Sequence, residues 1–220
     1  MVVTSSLHSI FSAGLDLTEL YDPDPNQRLP EFWRSFQQLY LDLYGSRLST
    51  IAAINGHAPA AGCMIALSCD YRIMASGGTG KKIPTIGLNE SRVGIVAPPW
   101  LRQQYVDTIG HRKAELALLL GTLFTPQQAL EIGLVDEVVD SEKEDVVEIA
   151  KQRAIDEWIP IPSQARALTK QSTRGSQIND MIKNQDLDLE QFRTLVCNAN
   201  VQKNLGLYLE QLMKKSKGKK

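Results

Sequence analysis

The sequence predicts an α/β fold at the front of the chain that passes into an all-helical back. Three observations predict it. The short apolar run Ile51–Ile54 leads through a corner of small residues and a buried apolar stretch, 63–69, to a second strand-like run, Asp70–Ala75. Strand, corner, helix and strand make a βαβ-like crossover. Apolar Phe32, Phe36, Leu39, Tyr40 and Leu43 recur at the spacing of one helix face over Glu31–Tyr44. From Ser141 onward the pattern is helical throughout.

The elements follow in order. A strand is expected at Val2–Ser5, so close to the start that the chain reads as though it begins in the middle of a domain. Gly14 stands where strand-like sequence gives way to a helical pattern, which suits a turn. Residues 21–30 are a loop by their Pro, Asp and Asn content. Asn55-Gly56 is a turn, and Pro59, Ala60, Ala61 and Gly62 form the small-residue corner. A basic loop, 76–84, precedes the run 85–100, in which Glu90 sits in a polar turn between apolar stretches. A helix over His111–Leu120 stops at Gly121. Thr125-Pro126 supplies a capping Thr with Pro at the first helical position, and Gly133 closes that helix. Leu134–Val139 is a last extended segment. One helix then carries Val146 to Trp158, and a long one runs from Leu187 to Leu212. The expected division is an α/β core over 1–140 and a helical assembly region over 141–220.

Composition narrows the function. A chain of 220 residues with 43% hydrophobic and 22% charged residues is ordinary globular material. Its 24 basic and 25 acidic side chains nearly cancel, so no global field favours nucleic acid or an anionic membrane. The basic tail Lys214–Lys220 is the local exception; it reads as a solvated end or as a patch for ligand phosphates. The three cysteines (Cys63, Cys69, Cys197) include no CxxC pair, and the three histidines are far apart, so neither a disulfide framework nor a metal site is expected. No apolar run reaches membrane-spanning length, and no signal or transit peptide is recognisable.

Three places carry potential chemistry. Gly14 in Ser12-Ala13-Gly14-Leu15-Asp16 lets the backbone turn its N–H groups outward. The corner 59–62 exposes N–H donors at the positive end of a helix. Donors from two such corners, converging on one oxygen, make an oxyanion hole. Glu90, between Leu88 and Val93, is a carboxylate placed for desolvation, which raises its pKa and suits it to shuttling protons. Taken singly, each has a plainer reading: a turn, a close-packed corner and a solvated loop acid.

At these residues the sequence resembles the crotonase (enoyl-CoA hydratase/isomerase) superfamily, and within it the mitochondrial isomerase branch. The resemblance rests on 11–20, 52–75, 86–101, 108–139 and 208–212, five segments in order over nearly the whole chain. It implies a crotonase-like (ClpP/crotonase) spiral of ββα units with a C-terminal helical region, here without the family's first strands. It implies an oxyanion hole from the N–H groups of Leu15 and Ala61, with Glu90 as acid and base. Many relatives have Gly at the position of Ala61. Substrate-binding backbone is implied along Ala13, Gly14, Leu15, Asp16 and Leu17, and an apolar acyl pocket that includes Val96 and Trp100. Hydratases of the family have a second catalytic Glu where this sequence has Met64, which favours isomerisation over hydration.

The resemblance further implies an acyl-CoA substrate, coenzyme A being part of that substrate and no separate cofactor being needed. It also implies a homotrimer, in which lysines of the C-terminal helix meet coenzyme A phosphates, and a mitochondrial matrix location. Against the isomerase stand two alternatives. One is a shortened, catalytically impaired isoform that serves as a non-catalytic assembly subunit; the other is a different crotonase activity, such as a thioesterase or weak hydratase.

Overall fold

The computed structural model describes residues 1–77 and 82–217. The basic loop and the basic tail singled out above therefore lie partly outside the described residues. Six strands are described: β1 (Val2–Val3), β2 (Ile51–Ile54), β3 (Ala58–Pro59), β4 (Tyr71–Ala75), β5 (Ile86–Gly87) and β6 (Glu137–Val139). The helices are α1 (Arg28–Tyr44), α2 (Ala61–Ser68), α3 (Glu90–Val93), α4 (Pro99–Ile109), α5 (His111–Leu120), α6 (Pro126–Glu131), α7 (Val146–Arg153), α8 (Ser163–Val196) and α9 (Ala199–Lys217).

Four strands pair in parallel in the order β1-β2-β4-β6, with Val2 opposite Ile51, Ile51 opposite Tyr71 and Ile73 opposite Glu137. A parallel sheet is covered on both faces, and the side-chain alternation shows how. Ala52, Ile54 and Met74 enter the main core. Ile51, Ala53, Ile73 and Ala75 enter a second core with Val139, Val146 and Ala150. Helix α7 thus caps the outer face, so the front of the helical back is built onto the sheet. β2 and β4 flank α2, which is the crossover the sequence suggested. Seven of the eight residues of α2 are buried, which explains its lack of a polar face.

Buried charge ties α8 to the base of this unit. The Asp70 carboxylate accepts from Thr50 N–H at 2.8 Å and pairs with Lys170 Nζ and Arg174 Nη2, each at 2.9 Å. The Arg174 guanidinium also lies 4.5 Å from the centre of the Tyr44 ring on α1.

The structure departs from expectation at the front strand and, more widely, in the helices. β1 spans two residues, where four were expected. α4 is an additional helix; Pro99 stands in its first turn, where a missing N–H costs nothing. The single helix expected over 187–212 is two helices. Asn198 Oδ1 accepts from Asn200 N–H at 2.9 Å and Gln202 Nε2 donates to the Val196 carbonyl at 2.7 Å, so α8 ends and α9 starts at this capped break. α8 itself begins at Ser163, and only six of its 34 residues are buried, which leaves little periodicity for a reader of the sequence.

Candidate active site

Three extended runs travel in parallel and end together. Ile10 bridges His57 in parallel, and Phe11 N–H and Ser12 N–H both donate to the His57 carbonyl, at 2.9 and 3.2 Å. β3 pairs with β5 in parallel, Ala58 opposite Ile86 and Pro59 opposite Gly87. The His57 ring clasps the same pair, Nδ1 accepting from Thr85 N–H at 3.1 Å. Parallel strands discharge their following residues at one end, where α/β proteins build their sites. The residues that follow the three runs are Leu15, Ala61 and Glu90.

The first two meet as backbone. Gly14 has φ +91°, and a methyl group placed on it would stand 3.3 Å from Ala60 Cβ and 3.5 Å from the Ala61 nitrogen. A methyl on Gly62 would stand 2.6 Å from the Ser12 carbonyl oxygen, so glycine is what allows the two corners to touch. Ala60 holds φ +50° and ψ −120° at the cap of α2, a conformation strained for any residue with a Cβ. Ala61 is the first helical residue, where an N–H has no acceptor within its helix. Among the described residues neither Leu15 N–H nor Ala61 N–H donates to another protein group. Two donors of adjacent corners therefore stand available for one oxygen, at the positive end of α2.

Glu90 is the first residue of the one-turn helix α3, a helix in place of the polar turn expected there. It is 9% exposed, and its Oε2 is sealed from solvent without a partner. Burial withholds water from its charge and pushes its pKa up from 4.5 to about 7, opposed only by Glu90's own backbone. Glu90 and both corners line one cavity of about 100 Å³. Glu90, Ile95 and Val96 also border an outer groove of about 650 Å³ against α4 and α5.

The other expected site residues divide. Ala13, Leu15, Leu17 and Val96 line the cavity with Ala61 and Glu90. Gly14 lies behind them as the packing hinge. Asp16 is not part of the lining. Its carboxylate accepts from Thr18 N–H at 2.9 Å and Thr18 Oγ1 at 2.7 Å, capping a 3-10 turn at Leu17–Glu19. Trp100 is not part of the lining either. Its indole packs 4.5 Å from Tyr40 and 5.3 Å from Phe36, ring centre to ring centre, because Pro99 starts α4 with that face against α1. Met64 is 0% exposed and its carbonyl accepts from Ser68 Oγ at 2.9 Å, so its side chain belongs to the core.

Sequence reading missed the opposite wall: Leu20, Trp33, Phe36, Asn89, Phe192 and Tyr208. Trp33 stacks on Phe192, ring centres 3.4 Å apart, and its Nε1 donates to Asp188 at 2.7 Å. The apolar stripe of α1 was visible, but nothing in the spacing joins residue 33 to residue 192. Among the described residues, no cluster of three or more His, Cys, Asp or Glu is placed to hold a metal ion, and no helix is long and apolar enough to cross a membrane.

This arrangement, two backbone donors facing one desolvated carboxylate in an apolar cavity, accompanies a match to a known family. The chain belongs to the enoyl-CoA hydratase/isomerase family, whose sequence profile matches residues 1–219. Among its relatives, the mitochondrial enoyl-CoA delta isomerase 1 of Rattus norvegicus is 48% identical over 215 residues, covering 98% of this chain and 72% of that protein. The Homo sapiens enoyl-CoA delta isomerase 1 is 43% identical over 218 residues, covering 99% and 69%. The crystal structure of human mitochondrial delta3-delta2-enoyl-CoA isomerase superposes with a TM-score of 0.91 over 97% of this chain and 80% of that one. An enoyl-CoA hydratase from Bacillus halodurans, 23% identical over 94% of this chain and 80% of its own, shares the crotonase fold at a TM-score of 0.81.

Proposed function

We propose that this chain is a double-bond isomerase that converts 3-enoyl-CoA to 2-trans-enoyl-CoA in fatty acid oxidation. The observation that carries the reading is Glu90, a single desolvated carboxylate with a pKa of about 7, in one cavity with the Leu15 and Ala61 corners. The thioester oxygen takes the two N–H groups. The Glu90 carboxylate removes a proton from C2, and the charge spreads into a dienolate held by those donors. Protonated Glu90 then returns the proton to C4, which moves the double bond from C3–C4 to C2–C3. An acid and base near pH 7 serves both steps.

Water addition needs a second carboxylate to hold and activate the water. The side chain at the corresponding position, Met64, is apolar and outside the cavity lining. The chemistry draws on no metal or redox group; coenzyme A arrives as part of the substrate. The similar rat and human relatives are mitochondrial enzymes, and we propose the mitochondrial matrix for this chain as well. A homotrimer is the proposed assembly; exposed Leu116, Leu119 and Leu120 on α5 offer apolar surface of the kind that copies bury.

Glu90→Gln tests the core of the reading. It keeps size and polarity but cannot accept the C2 proton, and kcat for a 3-enoyl-CoA is expected to fall by at least about 1,000-fold. An unchanged rate removes Glu90 from the mechanism. Water addition to a 2-enoyl-CoA, measured on the parent chain, is expected to be negligible; rapid hydration would instead favour a hydratase.

A further inference from the structure

One residue bonds to all three of the runs that end at the cavity. His57 directly precedes β3, and its backbone joins the first run on both sides. Its N–H donates to the Ser9 carbonyl at 3.0 Å, and its carbonyl accepts from Phe11 N–H and Ser12 N–H. Its half-buried ring turns to the third run, with Nδ1 accepting from Thr85 N–H at 3.1 Å and standing 3.1 Å from Thr85 Oγ1. The strand pair so joined is small. β3 and β5 have two residues each, too short a pairing to be stable by itself. Ala58 N–H donates to the Thr85 carbonyl and Ala60 N–H to the Gly87 carbonyl, both at 2.8 Å. The Thr85 N–H, just ahead of that ladder, goes to the ring. Ala61 stands two residues beyond β3, and Glu90 three residues beyond β5. The spacing between β3 and β5 is therefore also the spacing between a proposed donor and the proposed base.

We propose that His57 is the positioning residue of Glu90: its ring, as acceptor of the Thr85 N–H, fixes β5, and with it the carboxylate, against the Leu15 and Ala61 corners. This rests on the isomerase reading above and deepens it. The bond requires a neutral imidazole with its proton on Nε2, because Nδ1 must keep its lone pair to accept.

Ring and backbone act separately here. The backbone bonds to Ser9, Phe11 and Ser12 survive any change of side chain, so the two corners stay together without the ring. β5 is also held from its far side: Ile86 N–H donates to the Phe124 carbonyl at 3.0 Å, and Phe124 N–H to the Ile86 carbonyl at 2.8 Å. Loss of the ring therefore displaces Glu90 rather than unfolding the strands. Such a displacement weakens proton transfer and leaves thioester binding in place.

His57→Phe keeps a ring and removes the acceptor. His57→Asn restores an acceptor, because its Oδ1 is attached to Cγ as Nδ1 is. In His57→Phe the Thr85 amide is expected to exchange its hydrogen about tenfold faster. With a 3-enoyl-CoA, kcat is expected to fall about 10- to 100-fold while KM stays within about threefold. The infrared midpoint of the carboxylic acid band that Glu90→Gln abolishes is expected to move down, as water reaches a displaced carboxyl. His57→Asn should return all three readouts to near the parent values. Unchanged Thr85 exchange overturns the proposal, as does a loss carried by KM with kcat unmoved, or an Asn variant as impaired as the Phe variant. The parent chain supplies a test that needs no variant. Ring-nitrogen NMR shifts at about pH 8 are expected to place the His57 proton on Nε2. A proton on Nδ1 overturns the proposal, even should His57→Phe fail to fold. If the parent chain turns over no 3-enoyl-CoA, the isomerase reading fails, and the placement of Glu90 by His57 stands or falls on the infrared midpoint and the Thr85 exchange.

Discussion

The two walls of the cavity reach their chemistry by opposite means. In the proposed mechanism one wall, 12–15 and 59–62, acts through backbone N–H donors rather than side chains, and close packing sets their direction. On the other wall the proposed acid and base is the Glu90 side chain, whose pKa is raised by removal of water. The backbone wall is fragile to any atom added between its corners. The Glu90 wall accepts an isosteric change without loss of packing, but its chemistry depends on a titratable group held away from water. The lesson is that conformation and solvation are separate controls, and each has its own way of being broken.

Beyond the loss already expected of Glu90→Gln, the largest expected effect is on the backbone wall. Gly62→Ala puts a methyl 2.6 Å from the Ser12 carbonyl oxygen, so the corners must part. We expect kcat to drop about 100-fold, as when an oxyanion-hole donor is lost. Stability should fall by about 1–3 kcal/mol from overpacking, read by urea unfolding. Retained activity would show that the corners need not touch.

The Glu90 wall should show the opposite sign. Its folded pKa is raised from 4.5 to about 7. As the pH climbs through that window the unfolded chain has released its proton while the folded chain keeps it, so stability falls. Glu90→Gln removes this cost. The variant should be more stable than the parent by on the order of 2 kcal/mol at about pH 8, with the gap closing at about pH 4. Denaturant curves at the two pH values check it; a pH-independent gap would mean that solvation is not what controls this wall.

The smallest effect sharpens the first. Ala60→Gly relieves the φ +50° strain at the cap of α2. Because glycine also loses more freedom on folding, the net gain should be about 1 kcal/mol or less. Thermal unfolding measures the gain, and kcat should stay within about threefold. A clear loss of stability would show that the Ala60 methyl is held by packing against Gly14 more strongly than it is strained.

Much of the fold was legible because local chemistry and tertiary role coincided. Ile51–Ile54, the corner, α2 and β4 read as a crossover because a parallel sheet buried on both faces needs continuous apolar strands. Thr125 is the N-cap of α6, with a complete capping box through Gln128. The back half was less legible. α8 buries few of its residues, so its pattern is faint, and the break before α9 depends on two side-chain hydrogen bonds. Within the site, Gly14, the 59–62 corner and Glu90 were legible from small residues and an acid in apolar surroundings. Trp100 was not: apolar character announced burial but not which cavity or cluster it would join.

By itself, then, the sequence determined the family, the crossover and the two small-residue corners and singled out the candidate carboxylate, because these depend on residue types at short range. Only the tertiary structure decided that the three parallel runs end at one place. It also decided that Gly14 lies against Ala60 and that Phe192 and Tyr208 close the far wall. Contacts between residues far apart in the chain are set by packing and by where water is excluded, and no local pattern encodes those.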